Sequence, residues 1–181
     1  MTVHVRITCA EDYLARRAPV RQAHIERLLR LRATGALVAG GPTPDGRAAE
    51  LFYRVPDHGA LRAIVEEDPY HRAGAWTAYV PRDFETFVDP WEPEPPVVLD
   101  GSRPALVVEG PTADRDMAQL ALVELRGAGR VVFGGFLRDG PDGSTVAVAR
   151  TADAEEATGW LAETGSWKLG DLTTRAWLYV V

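Results

Sequence analysis

The sequence predicts an α+β fold made of two ferredoxin-like β-α-β-β-α-β repeats. The segment RLRATGALVAGGP around Gly35 is nearly repeated as VELRGAGRVVFGG around Gly129, and the same order of apolar runs and helical stretches flanks both segments. In each half, an Asp-Gly turn separates two β-type runs, which is the signal of a hairpin. Such a unit forms a four-stranded antiparallel sheet with both helices on one face. Two units packed sheet to sheet would bury both remaining apolar faces and form an internal pseudo-dimer.

The predicted elements follow in the same order in each half. An apolar run, HVRITCA or PALVVEG, predicts the first strand, and a helical stretch leads to the strand that ends in two glycines. The turns Pro44-Asp45-Gly46 and 139–143 come next, followed by the strands AELFYRV and STVAVAR. Asp57 and Asp153 are typical N-caps for the second helix of each half. The runs AWTAYV and RAWLYVV predict the last strands.

A proline-rich stretch, DPWEPEPPVVLDGSRP, separates the two halves. We therefore divide the chain into a first repeat over residues 1–88, a linker over residues 89–104 and a degenerate second repeat over residues 105–181. Trp91 lies within this linker. The sequence leaves open whether the two repeats pair within one chain or exchange with a second chain to form a homodimer.

Composition excludes several classes of protein. The chain has 181 residues, 46% of them hydrophobic, and a net charge of −6 without a basic block, so nucleic-acid binding is disfavoured. The lone Cys9 excludes an internal disulfide, and no residues have the spacing of zinc or iron ligands. The start of the chain lacks the layout of a signal peptide, and no apolar run approaches the ~20 residues of a membrane span. We expect a soluble cytoplasmic protein without metal or cofactor.

The first helix carries the first candidate site. At 3.6 residues per turn, Arg17, Arg21 and His24 lie within ~60° of the direction of Leu28 and Leu31, which mark the face toward the sheet. Polar groups on a buried stripe need partners. They would find them in each other or in a pocket at the end of the sheet; the alternative is a boundary histidine with solvated arginines.

The second half keeps the hydrophobic frame of this helix and loses its titratable group. Leu122 and Leu125 take the places of the two leucines, and Arg115 takes that of Arg21. Ala118 replaces the histidine, and Pro111 falls at the place of Arg17. A single asymmetric site per chain is therefore expected.

The second candidate site ends the second helix of the first half. Pro69 excludes helical geometry at Asp68, so the break aims Asp68 and Tyr70 beyond the end of the sheet. His71 could line the same mouth, and Trp76 could form the wall of an aromatic pocket. The alternative is an ordinary proline stop with solvated acids. The second half has neither the aspartate nor the proline.

The remaining candidates are expected to be structural. His4 in the first strand and His58 at a helix start are interpreted as surface residues. Cys9 has no evident base and is interpreted as a small core residue. Trp167 and Trp177 are expected to fill the core.

Taken together, the motifs resemble a known family. Arg17-xxx-Arg21-xx-His24, the strand ending Gly40-Gly41-Pro42 and then Asp68-Pro69-Tyr70 are similar in order and spacing to the YCII-related (YciI-like) family, over roughly residues 1–88. The resemblance implies a ferredoxin-like fold that pairs into a dimeric α/β barrel and a His–Asp pair in a pocket. One relative is a dehydrochlorinase acting on a chlorinated hydroxyquinol. The wider superfamily includes muconolactone isomerases and cofactor-free monooxygenases.

The resemblance makes His24 and Asp68 the candidate catalytic residues. A carboxylate on one ring nitrogen fixes the tautomer of the imidazole, and the free nitrogen can remove a proton next to a carbonyl or from a phenol. Arg17 or Arg21 could hold a substrate carboxylate or an enolate-like anion. We therefore expect a cofactor-free isomerase or lyase acting on a small aromatic or polyketide-like metabolite. The alternatives are a ligand-binding protein without catalysis and a cofactor-independent monooxygenase.

Overall fold

The computed structural model describes residues 1–89, 104–138 and 143–180. Within them the chain forms two compact units, of which unit 1 contains residues 1–81 and 178–180 and unit 2 contains the rest. Most of the predicted linker, including Trp91, and residues 139–142 of the second predicted turn lie outside the described residues. The domain boundaries stay a prediction. None of the described helices has the length and apolar character required to cross a membrane.

Unit 1 has the predicted order of elements, with two short helices in addition. In chain order they are β1 (Thr2–Cys9), α1 (Tyr13–Arg17), α2 (Arg21–Ala33), β2 (Leu37–Pro42), β3 (Ala48–Arg54), α3 (His58–Glu66), α4 (Pro69–Arg72) and β4 (Trp76–Val88), which continues into unit 2 from Arg82. The strand order is β2-β3-β1-β4, and β3 is antiparallel to both of its neighbours.

Unit 2 repeats this order without the two short helices. Its elements are β5 (Pro104–Pro111), α5 (Arg115–Gly127), β6 (Val131–Leu137), β7 (Ser144–Ala149), α6 (Ala154–Glu163) and β8 (Thr173–Leu178), of which the last residue, Leu178, belongs to unit 1. The strand order is β4-β6-β7-β5-β8, and β7 is antiparallel to β5 and β6. The mixed α+β fold with antiparallel pairing is confirmed. The strand pairings do not show a closed barrel, which stays a prediction.

Each unit has its own apolar core between its strands and its helices. In β1, alternate residues face the helices because side chains of a strand point to opposite faces in turn. Val3, Val5 and Ile7 are buried there against Leu61 and Val65 of α3. As predicted, Asp57 and Asp153 cap α3 and α6 by accepting hydrogen bonds from backbone N–H groups.

The first predicted helix is not continuous. Pro19 lies in a 3₁₀ turn between α1 and α2, because proline lacks an N–H and cannot extend a regular helix. Arg17 therefore ends α1, whereas Arg21 and His24 belong to α2. The prediction that Pro111 stands at the place of Arg17 is wrong. Pro111 ends β5, and only residues 112–114 separate it from α5.

The two units share local irregularities. The pairing of β2 with β3 shifts between Leu37 and Ala39, and that of β6 with β7 shifts at the corresponding step. Gly35 and Gly129 follow α2 and α5 with the same φ of 74°, a left-handed conformation that favours glycine at the end of a helix. A Cβ on Gly41 would overlap the carbonyl of Leu178, and one on Gly135 would overlap that of Glu85. These parallels define corresponding positions; the duplication itself stays a prediction.

The interpretation of His4 as a surface residue is wrong. His4 is fully buried, and its Nε2 donates a hydrogen bond to Oε2 of Glu50 at 2.7 Å. Its ring also stacks on Phe52. All three lie on the sheet face opposite the helices, since His4 pairs with Phe52 across β1 and β3. Alternation alone suggested exposure because a sheet face without helices is often solvated.

Apolar residues occupy the corresponding positions in unit 2. Val107 corresponds to His4, because it pairs with Val148 across β5 and β7 as His4 pairs with Phe52 across β1 and β3. Val146 corresponds to Glu50, because it pairs with Gly135 as Glu50 pairs with Gly41. Val107 and Val146 are both completely buried. The scaffold thus accommodates an apolar pair at these positions.

We predict strong coupling between His4 and Glu50 in stability. Glu50→Val or His4→Val alone leaves a buried polar group without its partner and should lower the free energy of unfolding by about 3 kcal/mol. The double variant matches unit 2 and should recover most of the loss. Urea unfolding of the four proteins measures this coupling, with His58→Val as the exposed control. Additive losses would contradict the assignment of a coupled buried pair.

Candidate functional site

The His24 side chain forms a buried pair with Asp68 in unit 1. Nδ1 of His24 donates a hydrogen bond to Oδ1 of Asp68 at 2.8 Å. Only 6% of His24 and 1% of Asp68 is exposed, so the bond is shielded from water. Because an ionised carboxylate only accepts hydrogen bonds, this contact places the ring proton on Nδ1 and leaves Nε2 as the nitrogen that can accept a proton.

Proline fixes the position of the carboxylate. Asp68 has an extended backbone, with φ −63° and ψ 136°, because the residue before a proline is disfavoured in helical geometry. Its Oδ1 accepts a second hydrogen bond from the backbone N–H of Tyr70 at 2.8 Å, so Asp68 caps α4. The break predicted at Pro69 is confirmed. One oxygen atom therefore orients both the imidazole and the start of the next helix.

Aromatic rings enclose the imidazole. Tyr70 stacks on His24 with ring centroids 3.7 Å apart, and Trp76 lies perpendicular to both rings. The edge of Tyr13 contacts Tyr70 at 5.8 Å. The Nε1–H of Trp76 is buried without a hydrogen-bond partner among the described residues. Buried donors are nearly always paired in folded proteins, so this group is available to a ligand or water.

The two predicted arginines act on the same cluster. Arg17 lies over the ring of Tyr13, 5.1 Å from its centroid. Burial raises the pKa of the Tyr70 phenol, and the nearby Tyr13 raises it further, while Arg17 and Arg21 lower it. The net shift of this pKa is upward, so the Tyr70 phenol is uncharged at neutral pH. Both guanidinium groups are therefore close enough to affect charge at this site.

Two tyrosines of the site were not identified from the sequence. Tyr13 links Arg17 to Tyr70, and the i, i+4 spacing of Tyr13 and Arg17 is the signal that could have found it. Burial raises the pKa of Tyr53, and the negative charge of Asp68 adds to that shift. Tyr53 belongs to β3, and no local sequence pattern indicates that it lies close enough to Asp68 for the charge to affect its pKa.

The structure brings together four of the predicted site residues, His24, Asp68, Tyr70 and Trp76, and it brings Arg17 and Arg21 near them. The ring of His71 instead contacts Tyr79. His71 and Tyr70 are consecutive on α4 and point in different directions. That His71 lines the opening of the same site as Tyr70 stays a prediction.

Cys9 is buried, as predicted, but it also lines a cleft beside α1. Burial raises the pKa of its thiol to about 11, the charge of Asp45 adds to that shift, and Arg17 opposes it. The thiolate is scarce at neutral pH, which disfavours Cys9 as a nucleophile. Among the described residues, no three His, Cys, Asp or Glu side chains are grouped so that they could hold a metal ion.

Comparison with known proteins supports the family resemblance. Residues 1–85 match the family model of the YCII-related domain, which confirms the resemblance predicted from the sequence. No curated protein sequence matches the chain significantly.

Solved structures share the fold. A candidate monooxygenase from Lactobacillus acidophilus matches with a TM-score of 0.64 and 10% identity, covering 98% of this chain and 93% of its own. A heme-binding protein from Thermus thermophilus matches with a TM-score of 0.56 and 12% identity, covering 99% and 90%. A 5-chloro-2-hydroxyhydroquinone dehydrochlorinase from Burkholderia phenoliruptrix, in complex with 2,5-dihydroxybenzoquinone, is 22% identical over 47% of this chain and 94% of its own, with a TM-score of 0.42. For the first two structures, with TM-scores above 0.5, the likeness at these identities concerns the fold alone.

We predict that the ring proton of His24 depends on Asp68. Nitrogen-15 NMR of the wild-type protein should show the Nδ1–H tautomer when the ring is neutral. Asp68→Ala should change this pattern and should also remove the cap of α4, at a cost of about 1 kcal/mol. Asp57→Ala removes a cap from α3, where Asp57 accepts a hydrogen bond from the Ala60 amide and not from His24, so it should leave the His24 signals unchanged. An unchanged tautomer in Asp68→Ala would contradict the assignment.

We predict slow alkylation of Cys9. With a pKa of about 11, its thiolate fraction at pH 8 is roughly a hundredfold smaller than that of an ordinary cysteine. Reaction with iodoacetamide should therefore be far slower than that of glutathione and should accelerate steadily toward pH 11. Alkylation at the rate of glutathione would show that the thiol is neither buried nor protonated.

Proposed function

From a chain whose first 85 residues match the YCII-related domain, we propose a small cofactor-free enzyme that transfers protons through His24 and Asp68. The observation that carries this proposal is the 2.8 Å bond between His24 Nδ1 and Asp68 Oδ1 at a buried position. The proposed reaction is an isomerisation or an elimination on a small aromatic or polyketide-like metabolite.

In this proposal, Nε2 of His24 removes a proton from carbon next to a carbonyl or from a phenol. The imidazolium that forms is stabilised by the carboxylate of Asp68, which already holds the opposite ring nitrogen. Returning the proton to another carbon gives an isomer. Expelling a leaving group from the neighbouring carbon gives a lyase product. Proton transfer by a positioned side chain contributes about 10²- to 10⁴-fold to the rate.

The surroundings of the pair suit an anionic intermediate. Arg17 and Arg21 both act on the phenol of Tyr70, so their charge reaches the site. The unpartnered Nε1–H of Trp76 can donate to a substrate oxygen on which charge develops. Burial of the pair limits competition by water, which strengthens such interactions.

The cytoplasmic location, the barrel and the homodimer predicted from the sequence remain predictions beside this proposal. A ligand-binding role without catalysis is the second candidate. It uses the same pocket but assigns no proton transfer to His24, so one experiment separates the two.

The test is proton exchange from carbon. The protein is incubated in D₂O with 2-tetralone and 2-indanone, two enolisable aromatic ketones, and loss of their α-proton signals is followed by NMR. Wild-type protein should accelerate exchange, and His24→Ala should lower the acceleration by about 10²-fold or more. The control is His58→Ala, which removes an exposed histidine at the start of α3 and should keep the wild-type rate. Binding of the ketones with equal exchange in wild type and His24→Ala would support the ligand-binding role.

A further inference from the structure

Unit 1 contains a cleft of about 950 Å³ that neither His24 nor Asp68 lines. One wall is the segment from Cys9 to Arg17, which includes α1, and the opposite wall is the turn Pro42–Arg47 between β2 and β3. Leu178 completes the lining. The volume is at the upper end of the range of about 300–1,000 Å³ that small-molecule sites span.

The wall formed by α1 has no counterpart in unit 2. Residues 10–20 separate β1 from α2, whereas only residues 112–114 separate β5 from α5. The extra residues bring Tyr13 and Arg17 to the cleft. They are not required to complete a unit of this fold, since unit 2 forms the same sheet and helices without them.

Arg17 is a cation of the cleft lining and has no acidic partner among the described residues. Its guanidinium lies over the Tyr13 ring, and no carboxylate of the described residues forms an ion pair with it. Two acids of the lining are already engaged. Asp12 binds Arg16, and Asp45 accepts hydrogen bonds from the Thr43 hydroxyl and the Arg47 amide.

The remaining lining is mixed. Glu11 is exposed, and Arg47 adds a second positive charge on the turn. The apolar part of the cleft is formed by Leu14, Pro42, Pro44 and Leu178. Leu14 is 65% exposed, so its side chain is accessible to a ligand in the cleft. The cleft therefore offers an apolar surface beside two cations, Arg17 on the α1 wall and Arg47 on the opposite turn.

An acid occupies the position in unit 2 that corresponds to Leu178. The backbone of Glu85 approaches Gly135 as that of Leu178 approaches Gly41. The Glu85 carboxylate binds Arg115 at 2.6 Å and Arg138 at 3.0 Å. Arg115 corresponds to Arg21. Unit 2 thus supplies its own carboxylate to the arginines of this region, and unit 1 has a leucine in its place.

We propose that the cleft binds a small organic carboxylate with an apolar body. The carboxylate takes charge-assisted hydrogen bonds from Arg17, and the body covers Leu14 and Leu178. Leu178 lies where unit 2 carries Glu85, so the chain itself places no acid at this position of the cleft. This cleft shares Arg17 with the site of the proposed function but includes neither His24 nor Asp68, so benzoate binding and proton exchange can fail separately.

The experiment is a titration followed by ¹H–¹⁵N NMR with three probes. Benzoate combines charge and apolar body, benzyl alcohol has the body alone, and inorganic phosphate has the charge alone. We expect benzoate to bind best and to shift the amide signals of Tyr13 and Gly46. Arg17→Gln should weaken benzoate binding about tenfold or more, because a hydrogen bond to a charged group is lost. Arg30→Gln, which removes an exposed arginine of α2 outside the lining, should have no effect.

A second pair of variants covers the case in which Arg17→Gln disturbs folding. Leu178→Glu places in unit 1 the acid that unit 2 carries, and it should weaken benzoate binding at least tenfold. Leu178→Gln has a similar shape without the charge and should weaken binding much less. His24→Ala should bind benzoate as the wild type does, even if it abolishes proton exchange.

The proposal would be overturned by equal binding of benzoate and benzyl alcohol, by equal effects of the Glu and Gln variants at Leu178, or by benzoate-induced shifts confined to residues outside the cleft. Phosphate binding as tight as that of benzoate would assign the site to inorganic anions and would also contradict an organic carboxylate.

Discussion

A single carboxylate oxygen organises the candidate site. Oδ1 of Asp68 accepts hydrogen bonds from Nδ1 of His24 and from the backbone N–H of Tyr70, both at 2.8 Å. The first bond sets the tautomer of the imidazole, and the second sets the start of α4, whose Tyr70 stacks on that imidazole. Ring orientation, ring protonation and helix position are therefore coupled. A carboxylate this buried is tolerated because both of its donors are themselves fixed.

The chemistry-bearing features are concentrated in unit 1, and unit 2 shows which of them the fold can omit. Ala118 is completely buried at the position of His24, and two valines replace His4 and Glu50. The short helices α1 and α4 are also absent from unit 2. Polar groups inside a protein cost free energy unless they are fully paired. Their presence in only one of two similar units favours a role in function over a role in folding.

Periodicity and turn chemistry were sufficient to predict the order of the strands and main helices, the caps Asp57 and Asp153 and the break at Pro69. They act over a few residues, so they are visible in the chain itself. The contact of His24 with Asp68 joins residues 44 positions apart, and the family resemblance, not the spacing, pointed to it. The burial of His4 and the effect of the Asp68 charge on the pKa of Tyr53 depend on tertiary packing. No local pattern carries that information.

In the proposed function, the imidazole of His24 transfers protons only when the carboxylate of Asp68 accepts its Nδ1–H hydrogen bond. The direct measurement is deuterium exchange into 2-tetralone by His24→Ala/Ala118→His, which moves the imidazole to the corresponding position on α5. That position has no aspartate like Asp68, because α6 is followed by Thr164 and Gly165 without a capped short helix. We expect that exchange stays at the level of His24→Ala alone. Recovery of the wild-type rate would show that an imidazole without a carboxylate is sufficient, and it would contradict the role proposed for Asp68.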